Sequence, residues 1–139
     1  MLASTSSQAQ FFRELRSLLR APYPLIHLKT YEEDRAVSLL EQLAGDDDRP
    51  VRQWSPVKGF GDGTGADPDE ALSYVESTDA PAVFAFRGGH QLFEKAATRR
   101  HLRELADPVT EGGKSLVVIS PLPIEAPELA KDMATLAMP

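Results

Sequence analysis

Two rhythms alternate along the chain, one of helical spacing and one of short apolar runs, and proline and glycine punctuate them. Phe11, Phe12, Leu15, Leu18 and Leu19 form the stripe of an amphipathic helix, predicted over residues 7–20 with Ser7 as its cap and Gln10 three positions on. Pro22 and Pro24 end it, because proline cannot donate to a helix ladder and restricts the residue before it. Residues 25–29 (Leu-Ile-His-Leu-Lys) then read as a strand buried on both faces. Thr30 and Glu33 stand at capping-box spacing, and Ala36, Val37, Leu40, Leu43 and Ala44 continue at helical spacing to Gly45.

The acidic stretch Asp46-Asp47-Asp48 with Pro50 reads as a surface loop before a second strand over residues 51–55, which carries the single tryptophan, Trp54, as a core residue. Gly59, Gly61, Gly63 and Gly65 make residues 56–67 the stretch expected to be most flexible. Asp67 as cap, Pro68 at the first helical position and Asp69-Glu70 in the first turn open a helix through Leu72 and Val75. A third strand is expected over residues 82–86, a helix over 93–106, and a β-branched fourth strand over 115–120, stopped by Pro121 and Pro123. A short helix over 128–131 and a fifth strand over 133–138 close the series. Such alternation with short connections predicts an α/β fold: a single three-layer domain with a mainly parallel sheet of about five strands, spanning residues 11–139 after a flexible N-terminus of residues 1–10.

Composition sharpens this picture. With 139 residues, 42% hydrophobic and 26% charged, the chain fits one globular domain large enough to bury a core unaided. The absence of cysteine removes a disulfide framework, a thiolate nucleophile and Cys-ligated metal sites. A net charge of −6 disfavours nucleic acid as a partner, and Arg99, Arg100 and Arg103 with Glu104 beside them have the spacing of a solvated helix face. No apolar run approaches the ~20 residues that cross a bilayer, and no secretory signal opens the chain; a cytoplasmic protein is expected.

The alternation is one that nucleotide-binding domains share, and in those domains a few recognisable parts hold phosphate. Gly112-Gly113-Lys114-Ser115 resembles the end of a P-loop, but its first glycine would fall on Pro108, and the stretch leads into a strand rather than a helix. Between the first strand and its helix, where a helix dipole and backbone N–H groups would hold phosphate, stand Glu32, Glu33 and Asp34. The glycines of 59–65 do not have the spacing of a dinucleotide fingerprint. Among the histidines, His27 reads as a hydrogen-bonded core residue. His90, after Gly88-Gly89 and beside Arg87, lies at a strand's carboxyl end, where α/β sheets place ligands. No carboxylate stands at that strand end to hold Mg²⁺ or activate water.

Several stretches resemble the N-terminal domain of the Ycf46-like AAA family ATPases of bacteria and plastids. They are Phe11-Phe12-Arg13-Glu14-Leu15, Pro24 through Arg35, Val51-Arg52-Gln53-Trp54-Ser55, Asp67 through Leu72, residues 81–86, Ser120-Pro121 and Pro127-Glu128-Leu129. The likeness runs from about Phe11 to Pro139. It implies a degenerate P-loop NTPase-like domain: a first strand without a P-loop, Phe86-Arg87-Gly88-Gly89-His90 in place of a Walker B acid, and Ser120 where a sensor residue would end strand four. Arg87-Gly88-Gly89 departs from the family likeness, which places an acidic residue before the histidine.

In that family a C-terminal AAA module follows, with Walker A, Walker B and arginine-finger residues that have no counterpart here. The resemblance therefore implies a non-catalytic accessory domain with no cofactor of its own, ATP and Mg²⁺ belonging to the AAA module. The implied partners are that module, neighbouring subunits of an oligomer such as a hexamer, and a protein target. Arg87, His90, Arg99, Arg100 and Arg103 are the candidate contact residues, because exposed arginine is enriched at interfaces. The alternative is a small ligand-binding domain or enzyme in which His90, Arg87 and Ser120 line one cleft at the strand carboxyl ends, and this requires the three side chains to converge. A further reading treats the stripe of residues 11–20 as a docking helix rather than a core-packing one.

Overall fold

A computed structural model describes residues 2–21 and 23–139, with side chains described from Ser7 onward. Pro22, expected to help end the first helix, lies outside the described residues. The elements in chain order are α1 (Leu2–Arg20), β1 (Leu25–Lys29), α2 (Glu33–Gly45), β2 (Val51–Trp54), α3 (Pro68–Ser77), β3 (Val83–Arg87), a 3₁₀ turn (Gly89–Phe93), α4 (Ala96–Glu111), β4 (Ser115–Ile119), a second 3₁₀ turn (Pro127–Leu129) and β5 (Met133–Ala137). The five strands form one sheet in the order β2-β3-β4-β1-β5, and every pairing is parallel.

Burial along each strand reports its place in that order. β3, β4 and β1, the three central strands, are buried at nearly every position, as a strand covered on both faces must be. β2 and β5 are the edges, and apart from buried Trp54 their residues are partly covered or exposed. Two apolar clusters sandwich the sheet. α1 and α2 cover one face through Phe11, Leu15, Leu19, Val37, Leu40 and Leu43, which meet Ile26, Leu28, Val83, Ala85, Val117 and Ile119. α3 and α4 cover the other, where Leu72, Val75, Leu102, Leu105 and Val109 meet Leu25, Phe84, Phe86, Leu116 and Val118. The stripe of α1 thus packs into the core, and the domain has the expected three layers.

Several local expectations give way to tertiary context. α1 starts at Leu2, so Ser7 lies inside the helix rather than capping it. Once the Phe11–Leu19 stripe is anchored, extending a helix through residues free of proline and glycine costs little. The capping box at Thr30 and Glu33 does not form: Glu32 is the N-cap of α2, and Thr30 Oγ1 accepts from the Glu32 N–H at 3.0 Å. The helix expected over 93–106 is a 3₁₀ turn followed by α4, which runs past Pro108 to Glu111 because buried Val109 seats its last turn on the sheet. The short helix expected over 128–131 is a 3₁₀ turn over Pro127–Leu129. The α3 cap forms as expected, with the Asp67 carboxylate accepting from the N–H groups of Asp69 and Glu70.

The glycine-rich loop is a set of tight turns. Gly59, Gly61, Gly63 and Gly65 all have positive φ, and at Gly59 a Cβ would lie 2.2 Å from the Thr64 carbonyl oxygen. Ser55 and Gly59 exchange backbone hydrogen bonds of 3.1 and 2.9 Å. Phe60 tucks inward, stacked on Tyr74 with centroids 4.3 Å apart and edge-on to Phe84 and Phe86. Trp54, 1% exposed, donates from Nε1 to the Gly65 carbonyl at 2.6 Å. The composition that suggested flexibility supplies turns that fasten the loop to the core.

Replacing Trp54 with Phe removes that donor and leaves a buried carbonyl unpaired, on top of lost packing. We expect a loss of about 2–4 kcal/mol in unfolding free energy by urea titration, with cooperative unfolding retained.

Candidate functional site

Ligands of open parallel α/β sheets bind beyond the carboxyl ends of the strands. Here that edge carries the β1–α2 turn, the loop after β2, Arg87 and the 3₁₀ turn after β3, and the Ser120–Pro123 segment after β4. The start of α2 is where a phosphate would meet a helix dipole and free backbone N–H groups. The Glu32 N–H already bonds Thr30 Oγ1, and the Glu33 N–H bonds the Tyr31 carbonyl at 3.2 Å. Glu33 and Asp34 occupy the first turn and Glu32 the cap, so of the three carboxylates expected in that turn one precedes it.

Arg87 completes this arrangement from the end of β3. Its Nη1 donates to Asp34 Oδ1 at 2.7 Å and lies 3.8 Å from Glu33 Oε1, while its Nε donates to Gln53 Oε1 of β2 at 3.1 Å. Glu32 pairs separately with Arg35 at 2.6 Å. Charge is therefore inverted relative to a nucleotide site: carboxylates stand where phosphate would bind, and a guanidinium ends the strand where a metal-holding acid would be needed. Asp34 is 96% exposed, so the pair contributes at most about 1 kcal/mol to stability. Its consequence is electrostatic, a helix start whose positive end is already matched.

His90 and Ser120 do come together. Ser120 Oγ accepts from the Leu122 N–H at 3.1 Å and shares a hydrogen bond of 3.2 Å with His90 Nδ1. Ser120 has no exposed surface, and among the described residues no carboxylate hydrogen-bonds His90, so the pair lacks both the access and the orienting acid that an activated nucleophile needs. Arg87 points away from it, toward Asp34 and Gln53, and borders a shallow depression with Trp54, Ser55, Lys58 and Gly59. The three-residue cleft required by the enzyme reading is not formed. Among the described residues no group of three or more His, Asp or Glu side chains could hold a metal ion.

The same Ser120 carbonyl receives His27 Nε2 at 3.1 Å, so the protonated nitrogen of this neutral ring is Nε2. Burial, only partly offset by that bond and reinforced by Lys29, holds the imidazole below its ordinary value. The loop after β2 offers no phosphate cradle either: the N–H groups of Gly59, Phe60, Gly61, Gly63 and Ala66 bond carbonyls of residues 55–64, and that of Thr64 bonds the Asp62 carboxylate.

The remaining candidates are anchored within the chain. Arg99 donates from Nη1 to the Phe93 carbonyl at 2.6 Å and pairs with Glu128, and Arg103 donates to the Glu128 carbonyl at 2.7 Å. Both tie α4 to the second 3₁₀ turn. Arg100 makes only an exposed i,i+4 pair with Glu104. Sequence reasoning missed another set: Tyr31 at 87%, Val57 at 82% and Leu122 at 49% are the large apolar residues left exposed among the described residues, and all three follow strand ends on this one edge. Their signal was position, each standing two or three residues after a strand and outside any helical stripe.

Comparison with known proteins places this geometry. The family described as SpoVK-like AAA ATPase, N-terminal domain, matches residues 11–138. AAA domain-containing proteins named ycf46 from Guillardia theta and Trieres chinensis are each 24% identical, over 79% and 91% of this chain but only 24% and 27% of their own length. The chain thus spans about a quarter of these relatives. The crystal structure of a DNA replication initiation factor superposes with a TM-score of 0.51 at 14% identity, covering 91% of this chain and 44% of the other, so the two share a fold over this region. Among the described residues no helix is long and apolar enough to cross a membrane.

The His27 environment predicts how stability depends on pH. Above about 6.5 the ring is neutral in both states. As pH falls below that value the unfolded chain takes up the proton first, so stability declines until the lower folded-state pKa is passed. Urea titrations at pH 7.5 and 5.5 should show this loss in the parent chain and a smaller one in His27→Leu, whatever its absolute stability.

Proposed function

The chain belongs to the family of SpoVK-like AAA ATPase N-terminal domains, and from that premise we propose that it is a non-catalytic docking domain whose contact surface is the carboxyl edge of its sheet. The observation that carries this reading is the contact of Arg87 with Asp34 at 2.7 Å, at the start of α2. It supports the reading because the carboxylates at the helix start are paired from within the chain, where a nucleotide's phosphates would otherwise meet the helix dipole. ATP and Mg²⁺ then belong to an AAA module elsewhere in the polypeptide, and this chain has no cofactor of its own.

An edge with no ligand of its own is left with an amphipathic surface. Strand spacing of about 4.8 Å puts the ends of β2 and β1, three strands apart, about 14 Å from each other. Val57, Leu122 and Tyr31 thus project along one rim, with Lys58, Arg87, His90 and the Glu32–Asp34 carboxylates interspersed. A tyrosine and an arginine amid apolar contacts match the residue types that dominate binding energy at protein interfaces. The partner in this reading is the AAA module of the same polypeptide or of a neighbouring subunit, or the protein on which the ATPase acts, in a cytoplasmic setting. Arg100 stands on exposed α4 as a secondary contact, whereas Arg99 and Arg103 serve mainly to hold the second 3₁₀ turn. The Ser120–His90 bond serves to fasten the β4 end to the turn after β3.

The test uses the chain added in trans to the AAA module of its parent polypeptide. Replacing Tyr31 and Leu122 together with Ala should weaken association by about 10- to 100-fold in Kd, while Arg100→Ala changes it less than about threefold and both variants unfold like the parent. Association unaffected by the double replacement would overturn the assignment of this edge.

A further inference from the structure

The two edges of the sheet differ in a way that the docking reading does not explain. An edge strand offers a row of unpaired N–H and C=O groups, and proteins guard such rows with charge, proline or a covering segment. β2 is guarded: Pro50 precedes it, Arg52 and Gln53 are exposed on it, and the loop of residues 56–67 folds back from its end through the Ser55–Gly59 bridge and the Trp54–Gly65 bond. β5 is not. Its five residues, Met133-Ala134-Thr135-Leu136-Ala137, carry no charge and no proline, and among the described residues β1 is its one strand neighbour.

The register fixes which groups of β5 are open. The Met138 N–H donates to the Lys29 carbonyl, and residues of one strand alternate in the side toward which their backbone groups point. Ala134 and Leu136 therefore bond β1, and the N–H and C=O of Met133, Thr135 and Ala137 point away from the sheet. On the face toward α1, Ala134 and Leu136 border a groove with Arg13, Glu14, Ser17 and Leu18.

We propose that this edge pairs with the same edge of a second copy of the chain, antiparallel about a two-fold axis through Thr135. That register makes Thr135 face Thr135 and Met133 face Ala137 as hydrogen-bonded pairs, and it sets Ala134 against Leu136 at the closer, non-bonded positions. Every outward donor of β5 then meets an acceptor. No like charges oppose one another: Asp132 falls opposite Met138, and Lys131 opposite Pro139. The two α1 helices lie on the same face of the joined sheet, each bringing an Arg13 and a Glu14 to the seam, so opposite charges are available across it. A β2 edge paired with itself in the same way would bring the two Arg52 side chains near each other, which accounts for the choice of edge.

The lack of cysteine gives this proposal a direct test. A hydrogen-bonded antiparallel pair holds its Cα atoms about 5.5 Å apart, within the span of a disulfide. Thr135→Cys should oxidise to a covalent dimer nearly to completion, and Arg52→Cys on the guarded edge should not. By light scattering the parent chain should show twice its monomer mass. Thr135→Pro, which removes an outward N–H without touching a bond to β1, should shift it to monomer with an unchanged far-UV spectrum. If that variant misfolds, Thr135→Lys, which sets two cations on the axis, should give the same shift. A parent chain that stays monomeric at several hundred micromolar, or a dimer that survives both replacements, overturns the proposal. Neither result bears on the carboxyl edge, because Tyr31 and Leu122 lie off the β5 seam.

Discussion

A guanidinium held between a strand end and a helix start sets the character of this domain. Any α-helix following a parallel strand presents uncompensated N–H groups and a partial positive charge at the sheet's carboxyl edge. Folds of this layout commonly answer that charge with a phosphate. Here Glu32, Glu33 and Asp34 answer it from within the chain, and Arg87 Nη1, 2.7 Å from Asp34, balances the carboxylates in turn. A phosphate approaching this turn would meet the carboxylates of Glu32, Glu33 and Asp34, with the Glu32 and Glu33 amides already bonded to Thr30 Oγ1 and the Tyr31 carbonyl.

The layers of the core make that pairing possible. α2 lies across the sheet because Ala36, Val37, Leu40 and Leu43 sink onto Val83, Ala85, Val117 and Ile119. Its first turn is thereby set over the carboxyl end of β3, within reach of Arg87. Gln53, on the adjacent strand, takes the Nε of the same side chain and fixes the direction of the guanidinium. The energy of the ion pair is small and that of the packing large. The charge pattern is thus a product of the fold rather than one of its main supports.

Elements defined by neighbours in sequence were legible from sequence. β1 has its expected bounds, the stripe of α2 is buried as read, and Asp67 caps α3, because strand hydrophobicity, helical spacing and capping are local. The five-strand α/β architecture and the family followed. Order within the sheet was not legible, since β4 inserts between β3 and β1 through pairings that no local pattern encodes. The partner of Arg87 was hidden for the same reason: Asp34 lies 53 residues away, and each was judged beside its own neighbours. The turns of residues 59–65 were not legible because composition cannot separate a glycine needed for positive φ from one that loosens the chain. Arg99 and Arg103 looked like a solvated face because Glu128 and the carbonyls that hold them lie on other segments.

In this reading the β1–α2 turn has exchanged a ligand's negative charge for its own. Titrating ¹⁵N-labelled chain with Mg-ATP while following the amides of Thr30 through Arg35 tests it most directly. These resonances should stay in place up to millimolar nucleotide. Saturable shifts centred on them at micromolar nucleotide would contradict it.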